Sequence, residues 1–481
     1  TLTVGGVINA PTFNLTKSGA GTLSFGANIV TLNDLTVNAG TFTSTSSTLN
    51  LAGGFSNAGT FNHNSGTVHY NGTATQLVAN VIYHNLITSA AGQKNAAGAI
   101  VVNNNLTNST ILDMGANSLT VGGVLDNTGG NIRFTGATNG LAVSTGTITY
   151  YGASQTITAG TYNNLVINQA SGQASLGGNV TVNGTLTLTN GVLNLSGFDL
   201  TLGPAATISV AAPSATRMII ANGSQVIKTF TGVGSFFFPI GDNTGVTEYS
   251  PITVNITAGA GFPANVGVSV VDAKHPNNSS TANFLTRYWE VNQTGITGGV
   301  ATITTTYPNA DISGTESNIT SAQLNGVFNQ TSNPWTKFSA LAANTLTATA
   351  ATLTSGQTSY FTGLRGANPT ATITGGGVAI CLGGLAALNT NVTGDGPFTY
   401  SWSPAAGLSA TNIANPIATP VVTTPYTVTL RDGNGIIATD NTTITVNAVP
   451  TTPAVTPVGP LTVCEGSAAI VLTSDAATGN Q

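Results

Sequence analysis

The stretch 186–202, LTLTNGVLNLSGFDLTL, contains the motif Leu-x-Leu three times, and each copy starts seven residues after the one before. In a coiled coil the apolar residues are three and four positions apart, so that they share one helix face. Here they are two positions apart, which places both leucines of a motif on the same side of a β-strand. The residues between the motifs, TNG and SGF, favour turns and disfavour helices. The stretch therefore predicts three short strands joined by tight corners.

The longer spacings indicate how such strands are connected. Four apolar motifs are each followed by a similar motif at a nearly constant interval, and the pairs start at Val30 and Leu49, Ile100 and Leu119, Leu165 and Leu186, and Val180 and Leu200. Three sides of six or seven residues close one turn of roughly 20 residues, which is typical of a β-solenoid. Ordinary antiparallel hairpins are the alternative, because alternation alone fits both, but hairpins do not explain the spacing.

A second, longer repeat is superimposed on the first. YHNLITSAAGQ at 83–93 matches YNNLVINQASGQ at 162–173, and LTVGGV at 2–7 recurs at 119–124, near the end of a full copy. We therefore expect the chain to begin inside a copy of this long repeat. Residues 1–205 predict a parallel β-helix of about ten turns, on the order of 50 Å long at the usual strand spacing.

The composition limits the partners of such a protein. Charged residues make up only 5% of the 481 residues, and the net charge is −5 with no basic cluster. This argues against nucleic acid or an anionic membrane surface as a partner. The longest apolar stretch, 375–388, is short and rich in glycine, so no membrane-spanning helix is expected. Abundant Thr, Val, Gly and Asn favour strands and turns, and the fold class predicted is all-β.

The character of the sequence changes after residue 205. Aromatic residues concentrate in GSFFFPIGD, FLTRYWEV, NPWTKF and SYFTG, between 230 and 361. A conventional aromatic core of this kind predicts a β-sandwich for residues 206–366. The segment GANP at 366–369 is interpreted as a linker.

Residues 367–449 predict an immunoglobulin-like (Ig/PKD-like) domain. Cys381 is followed by Trp402, and a tyrosine-bearing strand then leads into an Asn434-Gly435 hairpin. Residues 450–481 are predicted to form a linker rich in Pro and Thr and the start of a second, incomplete Ig-like domain. VCEGSAAIVLT at 463–473 repeats ICLGGLAALNT at 380–390, and we expect this second domain to continue beyond the sequence given.

These modules, in this order, resemble the large multidomain surface proteins that bacteria export by the type IX secretion pathway. The resemblance rests on GNVTVNGTLTLTNGVLNLSG, on TFTGVGSFFFPIGD with YSPITVNIT, and on YSWSPAAGLSATNIANPIATPVVTTPYTVTLRDGNG. It implies a long extracellular protein at the bacterial cell surface, used for adhesion, gliding or coating, with an export signal at the far C-terminus. Related modules often carry a second cysteine where this chain has Ile436. Cys381 is therefore expected to be a free buried thiol, and any partner of Cys464 is expected beyond Gln481.

An enzyme must also be considered, because β-helices also carry glycan-cleaving sites. Glycoside hydrolysis needs two carboxylates that face each other across the sugar. The only acids in residues 1–205 are Asp34, Asp113, Asp126 and Asp199. Asp113 and Asp199 correspond within the long repeat, but four turns separate them by about 20 Å, which is too far for paired catalysis. The protein is therefore predicted not to be an enzyme.

Two groups of residues are candidates for a metal. His63, His69 and His84 have no nearby carboxylate or cysteine in sequence, so we expect no metal there. GDNTGVTEY at 241–249 offers Asp242, Asn243 and Glu248 as oxygen ligands for Ca²⁺. A plain turn before a strand is the alternative that we favour, and no other cofactor is expected.

The function predicted is a structural or adhesive segment of a long extracellular surface protein, with self-association into a filament or surface coat as an option. An unpaired solenoid edge can accept a further strand, which is the reason for that option. The alternative is a carbohydrate-binding surface protein that uses exposed aromatic side chains. Trp335 and Tyr249 are the candidates for that role.

Overall fold

The computed structural model describes residues 1–136, 141 and 145–449, and beyond them 455–456, 460, 462, 465–466 and 468–474. The described chain is all-β, as predicted. Its only helical segments are two 3₁₀ turns, Asn309–Asp311 and Glu316–Asn318. The chain divides into two compact units. The first contains Thr1–Lys274, Leu285–Ile312 and Leu341–Gly363, and the second contains His275–Phe284, Ser313–Ala340 and Leu364–Gln481.

The first 31 strands are mostly three or four residues long. They are β1 (Leu2–Val4), β2 (Ile8–Ala10), β3 (Leu15–Lys17), β4 (Thr22–Phe25), β5 (Val30–Leu32), β6 (Leu35–Val37), β7 (Thr41–Thr43), β8 (Thr48–Leu51), β9 (Phe55–Asn57), β10 (Thr60–Asn62), β11 (Thr67–Tyr70), β12 (Gln76–Val78), β13 (Ile82–Tyr83), β14 (Asn85–Thr88), β15 (Lys94–Ala96), β16 (Ile100–Val102), β17 (Leu106–Asn108), β18 (Ile111–Gly115), β19 (Leu119–Val121), β20 (Leu125–Asp126), β21 (Asn131–Phe134), β22 (Thr147–Tyr150), β23 (Gln155–Ile157), β24 (Gly160–Tyr162), β25 (Asn164–Leu176), β26 (Val180–Val182), β27 (Thr185–Asn194), β28 (Leu200–Leu202), β29 (Thr207–Val210), β30 (Ile219–Ile220) and β31 (Val226–Phe230).

These strands form a parallel β-solenoid, and the four spacings found in the sequence are its turns. The residues that pair directly, in register and in parallel, are Val30 with Leu49, Ile100 with Leu119, Leu165 with Leu186, and Val180 with Leu200. The second motif of the opening stretch also pairs with the previous turn, Leu193 with Ala174. The strand β27 runs through the first predicted corner without interruption, and β28 carries the third motif. The hairpin alternative is therefore wrong for this region.

The parallel ladder does not stop at residue 205. Leu200 pairs with Val226, and Ile219 pairs with Ile240, so that the solenoid has about twelve turns instead of ten. The strand β31 then pairs in antiparallel fashion with the strand at 264–271, where Val226 lies opposite Val268. The same sheet thus passes from parallel to antiparallel pairing, and no break in hydrogen bonding marks the boundary expected from composition.

The interior of the solenoid is filled by residues at alternate positions. Leu186, Leu193 and Leu200 are each 0% exposed, and burying a leucine side chain contributes roughly 1.5–3 kcal/mol. Aromatic rings continue the stacking between turns, since the ring centroids of Phe25 and Phe42 are 5.2 Å apart in an edge-to-face arrangement.

The long repeat has a structural counterpart inside the solenoid. The hydroxyl groups of Tyr70 and Tyr83 lie 3.0 Å apart, and those of Tyr150 and Tyr162 lie 3.2 Å apart. All four tyrosines are fully buried. The second member of each pair donates to a carbonyl four residues earlier, at 2.8 and 2.7 Å. The two matching sequence segments therefore build the same buried polar pair.

The rest of the first unit is mainly antiparallel. The strands that follow along the chain are β32 (Gly234–Phe238), β33 (Ile240–Asp242), β34 (Glu248–Tyr249), β35 (Ile252–Ala260), β36 (Ala264–Val271), β37 (Phe284–Leu285), β38 (Tyr288–Thr294), β39 (Thr297–Thr306), β40 (Ile312–Ser313), β41 (Ile319–Asn325), β42 (Thr336–Ala340), β43 (Thr345–Leu353) and β44 (Thr358–Arg365). Of these, β41 and β42 belong to the second unit. One antiparallel sheet has the order β32-β35-β39-β43. The solenoid sheet continues from β31 through β36 and β38 to β44.

The second unit contains the predicted Asn434-Gly435 hairpin. Its remaining strands are β45 (Thr370–Thr374), β46 (Ala379–Cys381), β47 (Ala386–Ala387), β48 (Asn389–Thr393), β49 (Thr399–Ser403), β50 (Ile417–Ala418), β51 (Thr424–Arg431), β52 (Ile437–Asn447), β53 (Val455–Thr456) and β54 (Thr473–Ser474). β51 and β52 pair in antiparallel fashion from Arg431 opposite Ile437 onward. Buried Trp402, Tyr426 and Ile444 belong to one apolar cluster.

The prediction that Cys381 is buried is wrong. Its thiol is free, as expected, but the residue is exposed. The reason is strand alternation, because Ile380 turns into the apolar cluster and its neighbour in β46 must face outward. Cys464 and most of the predicted second Ig-like domain lie outside the described residues.

Candidate functional site

The densest group of charged side chains in the described part of the first unit surrounds Arg287. The hairpin of β33 and β34 places Asp242 directly opposite Glu248, so that their side chains are neighbours on one face. Asp272 follows the end of β36, and Asp311 lies in a 3₁₀ turn. The polypeptide thus brings four carboxylates from separate segments to one place.

The guanidinium group of Arg287 lies at the centre of this carboxylate cluster. Its Nε donates to Asp311, its Nη1 to Asp242 and its Nη2 to Glu248. A second contact of Nη2 reaches Asp272 at 3.3 Å. The Arg287 side chain is 0% exposed, whereas those of Glu248 and Asp272 are 17% and 25% exposed. The cluster is therefore anchored at a buried cation and opens toward solvent on the side of these two acids.

Four carboxylates share one guanidinium, so negative charge is in excess. Burial is the largest influence that raises the pKa of Glu248, and the neighbouring acids raise it further against the opposing effect of Arg287. Burial and the neighbouring acids also raise the pKa of Asp272. Burial would lower the pKa of Arg287, but its hydrogen bonds with Asp311 and Asp242 raise it overall. The arginine therefore stays charged, and Glu248 and Asp272 bind protons more readily than ordinary carboxylates do.

Of the three calcium ligands predicted from the sequence, only Asp242 and Glu248 lie close together. Oxygen atoms of Asp242, Glu248 and Asp272 lie within 4.8 Å of one another, the only such group of three or more potential metal ligands in the described part of the chain. Asn243 does not join them, because its Oδ1 accepts a hydrogen bond from Asn222 and its backbone N–H donates to the same residue at 3.3 Å. The guanidinium already supplies a cation to these oxygens. The geometry is that of an ion-pair cluster held by the protein itself.

The two aromatic candidates for sugar binding occupy different environments. Trp335 is only 2% exposed, its indole N–H donates to the carbonyl oxygen of Asn277 at 2.9 Å, and its ring packs edge-to-face on His275. It is therefore a core residue of the second unit. Tyr249 is half-buried in β34, and burial raises the pKa of its phenol to about 12.

The histidines of the solenoid are engaged in ordinary contacts. The rings of His63 and His84 stack with centroids 5.5 Å apart. His69 lies on another side of the turn and bonds Asn50 at 3.1 Å and Ser89 at 2.7 Å. No group of metal-ligand type among the described residues includes them.

The acids of the solenoid do not form pairs across a cleft in the part that the structure describes. Asp34 accepts the backbone N–H of Gly54 at 2.7 Å, and Asp199 accepts that of Gln225 at 3.0 Å. Both bonds join one turn to the next. Asp113 accepts the hydroxyl group of Tyr151 at 2.6 Å. These carboxylates are thus used as hydrogen-bond acceptors within the rod.

Sequence reasoning found two members of the carboxylate cluster and missed Arg287, Asp272 and Asp311. Arg287 lies 45 residues from Asp242 and 24 from Asp311, so no local motif connects them. The available signal was the arginine within FLTRYWEV. A cation that is buried between apolar strand residues requires buried acids as partners.

No protein-family model matches the chain, and comparison with curated proteins gives no significant match. Within the described residues, no helix combines the length and apolar character needed to cross a membrane.

Proposed function

We propose that this chain is a structural and adhesive segment of a long extracellular bacterial surface protein, in which the solenoid acts as a rod. The antiparallel part of the first unit and the second unit act as β-sandwich and Ig-like modules of the same protein. The activity is mechanical and involves surface contact, with no catalytic step.

One observation carries the proposal, namely that successive turns are joined by backbone ladders and also by side-chain amides at the corners. Asn85 Oδ1 accepts the backbone N–H of Asn105 at 3.2 Å, and Asn105 Oδ1 accepts that of Val124 at 3.0 Å. In the same way, Asn164 Oδ1 accepts the backbone N–H of Thr185 at 2.8 Å. Each neutral bond of this type contributes about 1 kcal/mol and depends little on salt. Neutral hydrogen bonds between turns therefore suit a rigid rod that is exposed to a medium of varying ionic strength.

The second unit supports the Ig-like part of the proposal. Trp402 is 3% exposed and packs in the same apolar cluster as Tyr426. The hydroxyl group of Tyr426 donates to the carbonyl oxygen of Ala406 at 2.7 Å. A buried tryptophan and a tyrosine that bonds back to an upstream carbonyl are features that Ig-like domains share.

Self-association into a filament or surface coat is part of the same proposal, because the open end of a β-solenoid has unpaired backbone groups that can accept further strands.

Immunogold electron microscopy of intact cells that produce the protein tests its location. We expect gold particles on the outer surface before the cells are permeabilised. Labelling that appears only after permeabilisation would contradict the proposal.

Sedimentation of the purified chain tests self-association. We expect the average mass to rise with concentration. A single monomeric species at every concentration would remove self-association from the proposal and leave the scaffold role standing.

A further inference from the structure

Three consecutive corners of the solenoid and the adjoining β33–β34 hairpin form an open groove on one flank of the first unit. The lining residues of this corner groove lie at 169–173, 190–192, 215–216, 220, 243 and 246–247, and its volume is about 610 Å³. Small-molecule sites commonly have volumes of roughly 300–1,000 Å³. Three steps of ~4.8 Å across the three corners and the hairpin give the groove a length of roughly 14 Å. It is therefore large enough for a short linear ligand.

The lining of this corner groove is neutral and mixes hydrogen-bonding groups with small apolar patches. None of the described residues that line it is acidic or basic. Its polar side chains are amides and hydroxyls, and they include Gln169, Ser171, Gln173, Asn190, Thr216 and Thr247. Val192, Ile220 and Val246 add apolar surface. Amides and hydroxyls together offer donors and acceptors but no charge, which matches a ligand whose own groups are alcohols.

Gln169 provides the most specific observation, because it lines the groove and is only 1% exposed. Its Nε2 donates to the carbonyl oxygen of Tyr150 at 3.3 Å and to Oε1 of Gln155 at 2.9 Å. Both partners are acceptors, so a flipped amide would place oxygen against oxygen. Gln155 is itself held in place, since its Nε2 donates to the carbonyl oxygens of Phe134 and Gly136. The orientation of Gln169 therefore follows from its neighbours.

The oxygen of the same amide, Gln169 Oε1, has no hydrogen-bond partner among the described residues. A buried acceptor without a partner is unfavourable by about 1–3 kcal/mol. An O–H or N–H donor that enters the groove removes this deficit. The unpaired acceptor thus belongs to a residue that lines the groove, and it suits a neutral donor.

This corner is also the place where the long repeat is broken. The segment 162–173 has twelve residues where its counterpart 83–93 has eleven, and the extra length falls in the corner that carries Gln169. The pairing of β25 with β27 shifts register on both sides of Asn168. In repeat proteins, insertions that depart from the pattern commonly supply a binding face.

We propose that the corner groove binds a neutral, polyhydroxylated chain, that is, an uncharged glycan segment whose hydroxyl group donates to Gln169 Oε1. Val192 and Val246 contact the C–H faces of the sugar rings, and the exposed amides bond the remaining hydroxyls. This inference rests on the proposed adhesive role and gives it a ligand class. The proposed glycan site differs from the one predicted from the sequence, which included Trp335, a residue that is buried.

The test is isothermal titration calorimetry of the whole chain with neutral oligosaccharides from glucan, mannan, galactan and xylan. Uronic-acid and sulfated oligosaccharides of equal length form the charged comparison set. We expect binding of at least one neutral probe and at least tenfold weaker binding of the charged set. Ser171→Trp fills the groove from an exposed position and should lower the affinity at least tenfold.

Ser209→Trp is the matched control, because Ser209 is exposed on β29 outside the groove and should leave the affinity unchanged. Gln169→Met should lower the affinity tenfold while the circular dichroism spectrum stays unchanged. If Gln169→Met does not fold, the comparison of Ser171→Trp with Ser209→Trp still tests whether the ligand binds in the groove. The proposal is overturned by the absence of binding to every neutral probe, or by an affinity that Ser171→Trp does not change. A negative result here, with surface labelling of intact cells still positive, would remove the ligand and leave the scaffold role.

Discussion

The ammonium group of Lys94 donates a hydrogen bond of 2.7 Å to the carbonyl oxygen of Gly72, 22 residues earlier and one turn below. Lys94 is 0% exposed, and no carboxylate among the described residues forms an ion pair with it. Lys228 repeats the arrangement in the last turns, where its Nζ donates to three backbone carbonyl oxygens. Buried lysines therefore serve the solenoid as donors to corner carbonyls.

Replacing Lys94 by Met should lower the free energy of unfolding at pH 7 by about 1–3 kcal/mol, because the Gly72 carbonyl loses its donor. Burial lowers the pKa of Lys94 below its ordinary value of 10.5. The unfolded chain therefore binds this proton more tightly, and the contribution of Lys94 grows as the pH rises toward 10.5. Denaturant unfolding at pH 7 and pH 10 should show a larger difference between the two proteins at pH 10. An equal or smaller difference would contradict this reading of Lys94.

Gly92→Ala should destabilise the solenoid by about 2–3 kcal/mol, because turns at this corner approach closely. A Cβ at this position would lie 1.9 Å from the carbonyl oxygen of Ala74 in the turn below. Gly21→Ala is the control, since a Cβ there meets nothing within 4 Å. The midpoints of chemical denaturation measure both effects. Equal midpoints for the two variants would show that the turns are not packed as described.

Arg287→Met should destabilise the first unit by about 3–5 kcal/mol, because it leaves buried carboxylates without their cation. Asp272→Asn is the matched variant. It removes one of four negative charges from a group that has a single positive one, so we expect stability to be unchanged or slightly higher. Urea denaturation at pH 7 distinguishes the two. A loss of unfolding free energy of similar size in both variants would mean that negative charge is not in excess in the cluster.

The same cluster should give the protein a dependence on pH that Asp272→Asn reduces. The pKa values of Glu248 and Asp272 are raised above their ordinary values of 4.5 and 3.8. Folding therefore favours the protonated forms, and their contribution to stability is complete below the ordinary values. It is lost as the pH rises through the raised values. Unfolding midpoints measured from pH 4 to pH 7 should fall less steeply for Asp272→Asn than for the unmodified chain.

His275 should have the opposite effect in the second unit. Burial lowers its pKa from 6.5 to about 4, and its Nδ1 accepts the backbone N–H of Asn277 at 3.2 Å, which only the neutral ring can do. Its contribution to stability is complete above pH 6.5 and is lost as the pH falls toward 4, by about 3 kcal/mol in total. NMR titration of the His275 ring should give a midpoint near 4. A midpoint near 6.5, or an unchanged acid sensitivity in His275→Gln, would contradict the assignment.

The parallel solenoid could be predicted from sequence because the pattern that specifies it is local and is repeated in every turn. The two-residue alternation in LTLTNGVLNLSGFDLTL sets which side chains face inward, and the regular interval between motifs sets which strands become neighbours. Val180 and Leu200 pair in register as that interval requires. The Asn434-Gly435 hairpin was predictable for the same reason, since its residues select the turn by their own backbone preferences.

Strand register and long-range contacts could be decided only by the tertiary structure. The buried thiol expected at Cys381 is exposed because a one-residue difference in register reverses the face of a strand. The extent of the ladder beyond residue 205 depends on the pairing of β28 with β31, in which the backbone N–H of Leu200 donates to the carbonyl oxygen of Gln225, whereas composition had suggested a boundary there.

Local preferences thus set an all-β chain of low charge that coils in short, regular turns, since φ/ψ preference and alternation act between near neighbours. Tertiary structure alone brought Arg287 to acids as far as 45 residues away and left Gln169 Oε1 without a partner among the described residues, beside a groove made by three corners and a hairpin. The physical reason is that these contacts depend on where separate strands end in space. The local sequence pattern does not specify where distant strands end in space.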